Sequence, residues 1–180
     1  MASLSTSLVA QQVATPLGAM CLVRAGDVVV ALSFDGYGPH VRAYLQRHFP
    51  AAEPEFDDRR SEPARRLEAY FEGDLTAIEA IETSPRGTPF QQQVWALLRT
   101  IPVGEVTTYS QLAQRLGNPL STRAVGAANG RNPIAIVHPC HRVIGASNAL
   151  TGYAGGLDRK RWLLDHERAH SPSPSGPLFA

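Results

Sequence analysis

Two helix signals separated by a very short turn are the feature that most restricts the fold of this chain. Thr107 or Thr108 can cap a helix that reads YSQLAQRLG and stops at Gly117. The turn NPL follows, and Ser121 can cap a second helix that reads TRAVGAAN. Two short helices joined in this way predict a helix-turn-helix. The motif is typical of DNA-binding proteins but also occurs in other helical proteins, so by itself it leaves DNA binding open.

The chain before this motif predicts a small α/β unit. Two apolar stretches flank Ala25-Gly26-Asp27, which indicates a β-hairpin. Helical spacing of apolar residues follows in GPHVRAYLQRHFP and EPARRLEAYFEGD, and the stretch TSPRGTPF then indicates a domain boundary. We therefore expect an α+β protein. It has an α/β domain over residues 1–84, a mainly helical, winged-helix-like domain over residues 85–170, and a disordered tail over residues 171–180.

Charge is divided unevenly between the two predicted domains. Residues 1–84 contain seven Arg and twelve Asp or Glu, a net charge of −5, whereas residues 85–170 contain ten Lys or Arg and four Asp or Glu, a net charge of +6. A basic second half indicates contact with a polyanion, although chance drift of surface charge would give the same imbalance.

Composition excludes several classes of protein. No apolar run approaches the roughly 18 residues of a membrane helix, so we expect no membrane partner. The first residues have neither the basic region nor the apolar core of a signal peptide. Two cysteines far apart in sequence do not form a disulfide framework, which favours a reduced, cytoplasmic compartment.

The stretch HPCHRVIG draws attention to Cys140. The apolar run 134–137 predicts a buried strand, and Pro139 would end it and leave the thiol on a turn. One interpretation is an inert buried thiol, which is the usual state of an intracellular cysteine. A second is a metal ligand beside His138 and His141, which is disfavoured because no C-x-x-C or H-x-x-x-H pair supplies further ligands.

The third interpretation of Cys140 is a nucleophile. Adjacent residues of an extended chain point to opposite faces, so His141 would reach the thiol through a bridging water. A carboxylate would then orient the histidine, and Glu167, Asp165 and Asp158 are the candidates.

Several motifs resemble, in the same order, those of the O6-alkylguanine-DNA alkyltransferases. They are GTPFQQQVWALLRTIPVGEVTTYSQLA, STRAVGAANGRNP, NPIAIVHPCHRVIG and LTGYAGGLDRKRWLL, within about residues 86–168. Over residues 1–84 the resemblance is loose. The resemblance over residues 86–168 implies irreversible transfer of a methyl or alkyl group to a cysteine of the protein. The group comes from O6 of guanine in DNA, and less well from O4 of thymine. The damaged nucleotide is flipped out of the duplex, each molecule acts once, and no cofactor or metal is required.

The resemblance also implies the roles of individual residues. Cys140 accepts the alkyl group, His141 is a base acting through water, Glu167 orients it, Asn132 holds the turn, and Tyr109 gives a proton to the departing guanine. Arg123 enters the duplex in place of the flipped nucleotide. The other residues implied to contact DNA, in the minor groove, are Ser110, Asn118, Ala124, Gly126 and Ala127. The residues implied to form the pocket for the flipped base are Val143, Tyr153, Ala154, Gly155 and Lys160.

Three positions depart from the family pattern. His138 replaces an aliphatic residue, and we expect it either to lie exposed at a strand end or to shift the titration of Cys140. Ala154 replaces a serine found in some members, so a hydrogen bond to O6 there must come from the backbone N–H. Asn148 replaces a loop glycine and can adopt the same left-handed conformation.

The partner implied by the resemblance is double-stranded DNA that contains O6-alkylguanine. We expect a monomer in solution, with clustering along DNA left open. Two alternatives remain from other functional classes. One is a helix-turn-helix regulator in which Cys140 is a structural or redox-sensitive thiol. The other is a non-catalytic lesion-binding relative, a class that replaces the nucleophilic cysteine, commonly with tryptophan.

Overall fold

Six α-helices and six short strands make up the part of the chain that the structure, a computed structural model, describes: residues 7–34 and 36–171. The strands are β1 (Val9–Val13), β2 (Met20–Ala25), β3 (Val28–Ser33), β4 (Glu55–Phe56), β5 (Thr107–Thr108) and β6 (Val143–Ile144). The helices are α1 (Pro39–His48), α2 (Glu62–Phe71), α3 (Pro89–Leu98), α4 (Tyr109–Arg115), α5 (Thr122–Gly130) and α6 (Leu157–His170). The predicted tail lies outside the described residues except for Ser171.

A four-stranded sheet forms the centre of the first half, in the order β3-β2-β1-β4. The predicted hairpin is confirmed: β2 and β3 pair antiparallel around Gly26, whose φ of 60° glycine adopts without strain. Strands β1 and β4 were not predicted, because β1 reads VAQQV without clear alternation and β4 is only two exposed residues. Alternate residues of β2 face opposite layers, since Cys21 and Val23 pack in the cluster that includes α1, whereas Met20 and Leu22 pack with α2.

The helix-turn-helix is present as predicted. Helix α4 begins after Thr108, whose hydroxyl accepts from the Gln111 backbone N–H while the Gln111 side chain accepts from the Thr108 N–H. Helix α5 follows Ser121, but the expected cap hydrogen bond is absent there. The Ser121 hydroxyl instead donates to the Asn118 carbonyl at 2.6 Å. A short 3-10 turn gives Ser121 a ψ of 12°, whereas a capping side chain requires extended backbone.

The strand predicted over residues 134–137 is wrong. Ile134 forms only an isolated bridge with Leu32 of β3, and the chain then turns. The Val137 N–H donates to the Ala135 carbonyl at 2.8 Å, which closes a tight turn around Ile136 at φ 70°. Positive φ is rare for a β-branched residue, and sequence gives no sign of it. The run is still largely buried, as its apolar character predicted.

A shared hydrophobic cluster joins the two halves of the chain. A single cluster contains Leu32 and Tyr70 from the first half together with Ile134, Ile136 and Leu163 from the second. The predicted domain boundary at residue 84 therefore stays a prediction. Within residues 7–34 and 36–171, no helix has the length and apolar character that crossing a membrane demands.

Candidate active site

Cys140 begins a single 3-10 turn, Cys140–Arg142, and is 7% exposed. Burial raises the pKa of its thiol. The Asn132 amide, the charge of Lys160 and the backbone N–H groups of Cys140 and His141 act in the opposite direction. The resting thiol is therefore protonated, and a thiolate formed there would be stabilised by groups already in position.

Glu167 of α6 is the acceptor at the centre of a fully buried hydrogen-bond network. Its Oε1 accepts from His141 Nε2 at 2.8 Å, from Arg142 Nη2 at 2.8 Å and from the Tyr70 hydroxyl at 2.9 Å. Its Oε2 accepts from Arg142 Nε at 2.9 Å and from the Gly104 N–H at 3.4 Å. Burial alone would raise the pKa of Glu167, but His141 and Arg142 hold it well below its usual range. The carboxylate is therefore ionised.

The protonation of His141 follows from this network. An ionised carboxylate only accepts hydrogen bonds, so Nε2 carries the proton that bonds Glu167, and Nδ1 of the neutral ring is an acceptor. Among the described residues Nδ1 has no hydrogen-bond partner. Burial lowers the pKa of His141, although the charge of Glu167 acts in the opposite direction. Because the net shift is downward, the ring stays neutral. Glu167 thus fixes the orientation of the His141 ring and leaves its Nδ1 as a basic nitrogen without a partner in the described part of the chain. His141 directly follows Cys140 in the sequence.

Asn132 holds the turn that leads to Cys140. Its Nδ2 donates to the His138 carbonyl at 2.7 Å and to the Ile134 carbonyl at 3.3 Å, and its Oδ1 accepts from the Ile134 N–H at 3.1 Å. The Cys140 N–H also donates to the His138 carbonyl, at 2.7 Å. One side chain thereby satisfies the backbone of the strained segment.

A cleft of about 750 Å³ opens at Cys140. Of the predicted pocket residues, Tyr153, Ala154 and Gly155 line it. A side chain at Gly155 would collide with the rings of Tyr153 and Phe34, at 2.7 and 2.9 Å, so only glycine fits this wall.

Val143 and Lys160 do not line the cleft, although both were predicted to belong to the pocket. They are fully buried behind it, and Lys160 Nζ donates to the carbonyls of Val143 at 2.6 Å and Thr151 at 2.8 Å. Burial lowers the pKa of Lys160 to about 8. Lys160 therefore supports the loop that forms the cleft wall and does not face its interior.

The helix-turn-helix presents most of its predicted DNA contacts to solvent. The exposed residues among them are Ser110, Asn118, Arg123, Ala124 and Ala127. Gly126 is half-buried, and a Cβ there would lie 3.8 Å from the Tyr109 ring. The Tyr109 hydroxyl lies 3.4 Å from the Thr151 carbonyl and 3.5 Å from that of Gly152, so this ring joins α4 to the loop beside the cleft.

Similarity to known proteins covers nearly the whole chain. The family model described as "6-O-methylguanine DNA methyltransferase, DNA binding domain" matches residues 89–169. A Salmonella typhimurium protein named methylated-DNA–protein-cysteine methyltransferase is 46% identical over 166 residues, which are 89% of this chain and 95% of that protein. The chain belongs to the methylated-DNA–protein-cysteine methyltransferase family. The resemblance seen in the sequence is confirmed.

Further relatives of the methyltransferase family agree with this. A protein of the same name from Mycolicibacterium paratuberculosis is 60% identical over 107 residues, 59% of this chain and 64% of that protein. The crystal structure of Mycobacterium tuberculosis OGT in complex with DNA matches with a TM-score of 0.77 at 42% identity, over 92% of this chain and 96% of that one. The predicted α+β fold class is therefore confirmed.

Three residues of the methyltransferase site were not predicted. Arg142 had no assigned role, yet it donates twice to Glu167 and once, at 2.6 Å, to the Ile101 carbonyl. Tyr70 lies in the predicted N-terminal domain, where no site residue was expected. Asn129 lines the cleft, donates to the Cys140 carbonyl at 3.5 Å, and has a buried Oδ1 with no partner among the described residues.

His138 is the main departure from the family pattern, and the expectation that it lies exposed is wrong. It is 3% exposed, and its Nε2 lies 2.9 Å from the Thr83 hydroxyl, which also accepts from Arg99 at 3.0 Å. Its Nδ1 has no partner within the described residues. Burial, and then the charge of Arg99, lower the pKa of His138 to about 4. The turn around Ile136 directs the His138 ring into the interior. The predicted strand would instead have ended at the surface, with His138 exposed. Asn148, in contrast, adopts the left-handed conformation expected of it, with φ 59°.

Replacing His138 with isoleucine is expected to flatten the acid dependence of stability. A folded pKa of about 4, below the ordinary 6.5, means that protonation favours the unfolded chain, so this histidine reduces stability as the pH falls from 6.5 towards 4. Near neutral pH the variant should lie within about 1 kcal/mol of the parent, because one hydrogen bond is lost and an apolar side chain is gained. Urea unfolding near neutrality and at about pH 5 measures both effects. An equal fall in the free energy of unfolding between neutrality and about pH 5 in parent and variant would contradict the lowered pKa of His138.

Proposed function

We propose that this protein repairs DNA by transferring a methyl or alkyl group from O6 of guanine to Sγ of Cys140. The observation that carries the proposal is Cys140 on the lining of a cleft, directly followed by a histidine whose proton Glu167 fixes on Nε2. The chemistry is that of a methylated-DNA–[protein]-cysteine S-methyltransferase, the activity for which the relatives are named.

The reaction uses groups of this chain, one water molecule and the substrate. The Cys140 thiol passes its proton through a water to Nδ1 of His141, which Glu167 stabilises in its charged form. The thiolate attacks the alkyl carbon in line, so the S–C bond forms as the C–O6 bond breaks. The departing guanine takes a proton from Tyr109, whose hydroxyl reaches the loop beside the cleft. A thioether remains on Cys140, so each molecule acts once and needs no cofactor.

Base flipping reconciles the buried thiol with a duplex substrate. O6 of a stacked guanine cannot reach the sulfur of a residue that is only 7% exposed, so the nucleotide must leave the helix. Arg123, in the first turn of α5, takes its place in the stack, and the small residues Ala124, Gly126 and Ala127 allow close approach to the minor groove. The proposed partner is therefore double-stranded DNA, and the proposed compartment is the cytoplasm.

Two alternative functions agree less well with the site. A non-catalytic lesion-binding protein of this family would lack the cysteine that stands at position 140. A helix-turn-helix regulator with a merely structural Cys140 would have no use for a buried, ionised Glu167 that accepts from a histidine next to that thiol.

The test of the proposed function is the mass of the intact protein after incubation with a duplex that contains one O6-methylguanine. The protein should gain one methyl group per molecule, located on the peptide that carries Cys140. Absence of a stoichiometric gain with an excess of duplex would overturn the proposal.

Replacing Arg123 with alanine is expected to slow repair of the duplex by about tenfold to hundredfold, the usual range for removing a dominant interface arginine. Transfer from a free O6-alkylguanine base should change little, because a free base needs no substitute in the stack. Single-turnover rates on both substrates provide the measurement. Equal losses on the duplex and the free base would argue against insertion of this side chain.

A further inference from the structure

The cleft that holds Cys140 extends to helix α1 and to residues 86–91, beyond the predicted base pocket. Every charged or titratable group of Asp, Glu, His, Lys or Arg type on its described lining is basic: His40, Arg47, His48, Arg86 and Arg131. The stretch 36–52, which includes α1, contains no Asp or Glu. The part of the cleft lined by these residues is therefore positively charged.

This charge distribution contrasts with that of the first half of the chain, whose net charge is −5. The arginines at 59, 60, 65 and 66 each form an ion pair with a carboxylate. Arg47, Arg86 and Arg131 form none within residues 7–34 and 36–171, and all three are exposed. Unlike those four arginines, the three arginines of the cleft have no ion-pair partner among the described residues.

The fold also fixes the position of Arg86. Arg86 donates to the His48 carbonyl at 2.6 Å, its backbone N–H donates to the Tyr44 hydroxyl at 2.7 Å, and its guanidinium lies 4.1 Å from the centre of the Phe49 ring. Burial, followed by the charges of Arg47 and Arg86, lowers the pKa of His48. His48, Arg47 and Arg86 therefore lie close together, and a bound anion would relieve the repulsion between their charges.

We propose that this basic cleft is a second DNA-binding surface, which contacts phosphates of the strand next to the flipped nucleotide. The inference rests on the proposed function, because a guanine that reaches Cys140 brings its neighbouring phosphates to the mouth of the same cleft. Duplex DNA carries one charge per about 1.7 Å of axis, so several phosphates lie within reach of such a wall. Helix α1 then contributes to substrate binding together with the helix-turn-helix.

The experiment compares two double variants of equal net charge. Arg47→Ala with Arg131→Ala removes two arginines of the cleft. Arg42→Ala with Arg161→Ala removes two exposed arginines outside it, one of them also on α1. Affinity for a duplex containing O6-methylguanine is measured over a series of salt concentrations. Losing two phosphate contacts should reduce the slope of log affinity against log salt by about 1.8, whereas the control pair should keep the parental slope.

Transfer from free O6-benzylguanine distinguishes an effect on DNA binding from an effect on alkyl transfer, because the free base carries no phosphates. The cleft variant should react with the free base at the parental rate. Parental salt slopes in both double variants, or an equal fall in both, would overturn the DNA-binding surface, as would a loss of free-base reaction confined to the cleft variant. If the parent itself transferred no alkyl group from either substrate, the proposed function would fail, while the salt slopes would still decide the role of the cleft.

Discussion

Replacing Cys140 with serine is expected to abolish alkyl transfer, with no detectable methyl gain on O6-methylguanine duplex DNA. The hydroxyl of serine ionises far less readily than a thiol, and its oxygen is a weaker nucleophile towards an alkyl carbon. The variant should keep its fold and its affinity for DNA, because the side chain changes by one atom. Intact mass and peptide mapping measure the transfer, and a fluorescence titration measures the binding.

Cys21 offers a matched control for this variant. It lies buried in β2, where burial raises the pKa of its thiol to about 11, and no basic side chain stabilises a thiolate there. Cys21→Ser should therefore gain one methyl group per molecule, as the parent does. A methyl gain that persists in Cys140→Ser but disappears in Cys21→Ser would show that Cys21, and not Cys140, accepts the methyl group.

Replacing Arg142 with methionine is expected to lower the free energy of unfolding by about 3–5 kcal/mol, the usual effect of leaving one partner of a buried ion pair unneutralised. Glu167 would keep its hydrogen bonds from His141, Tyr70 and Gly104 but lose both from the guanidinium. Urea unfolding of parent and variant measures the change. Arg65→Met is the control, because its pair with Glu62 is exposed and should contribute about 1 kcal/mol at most.

The loss in Arg142→Met should also depend on pH. A carboxyl whose folded pKa is depressed stabilises the protein above its unfolded pKa, near 4.3, and that contribution disappears as the pH falls through the folded pKa. Without Arg142 the folded pKa of Glu167 rises, so parent and variant should differ most at neutral pH and converge in acid. A difference no larger than that of Arg65→Met, or one that does not change with pH, would argue that Arg142 does not hold the carboxylate.

Local signals in the sequence predicted the parts of this fold that depend on local interactions. The capping pattern at Thr108 predicted α4, and Gly26 between apolar stretches predicted the β2–β3 hairpin. Residues 134–137 show the limit of this reasoning: their apolar run indicates burial correctly, but the turn at Ile136 is imposed by Asn132 and β3, which pattern alone does not reveal.

The family motifs predicted much of the site but not all of it. Cys140 and His141 were candidates from the residues alone, and the resemblance selected Glu167 from three carboxylates. The structure joins His141 to Glu167 by a hydrogen bond. Tyr70 is 97 residues from Glu167, in a half of the chain that matched the family only loosely. Arg142 follows His141 directly, yet only the folded chain shows that both side chains turn towards the same carboxylate. Their roles as positioning residues depend on tertiary contact and leave no periodic trace.

The position of Glu167 has a consequence for the order in which the protein matures. Tyr70, Gly104, His141 and Arg142 all leave the ribosome before the carboxylate that unites them, which belongs to the final helix, α6. Until α6 docks, His141 has no anion to fix its proton, and Arg142 has no carboxylate to neutralise it. A nascent chain can therefore expose its cysteine during synthesis without carrying an activated one, and the capacity to react appears only when the last helix closes the core.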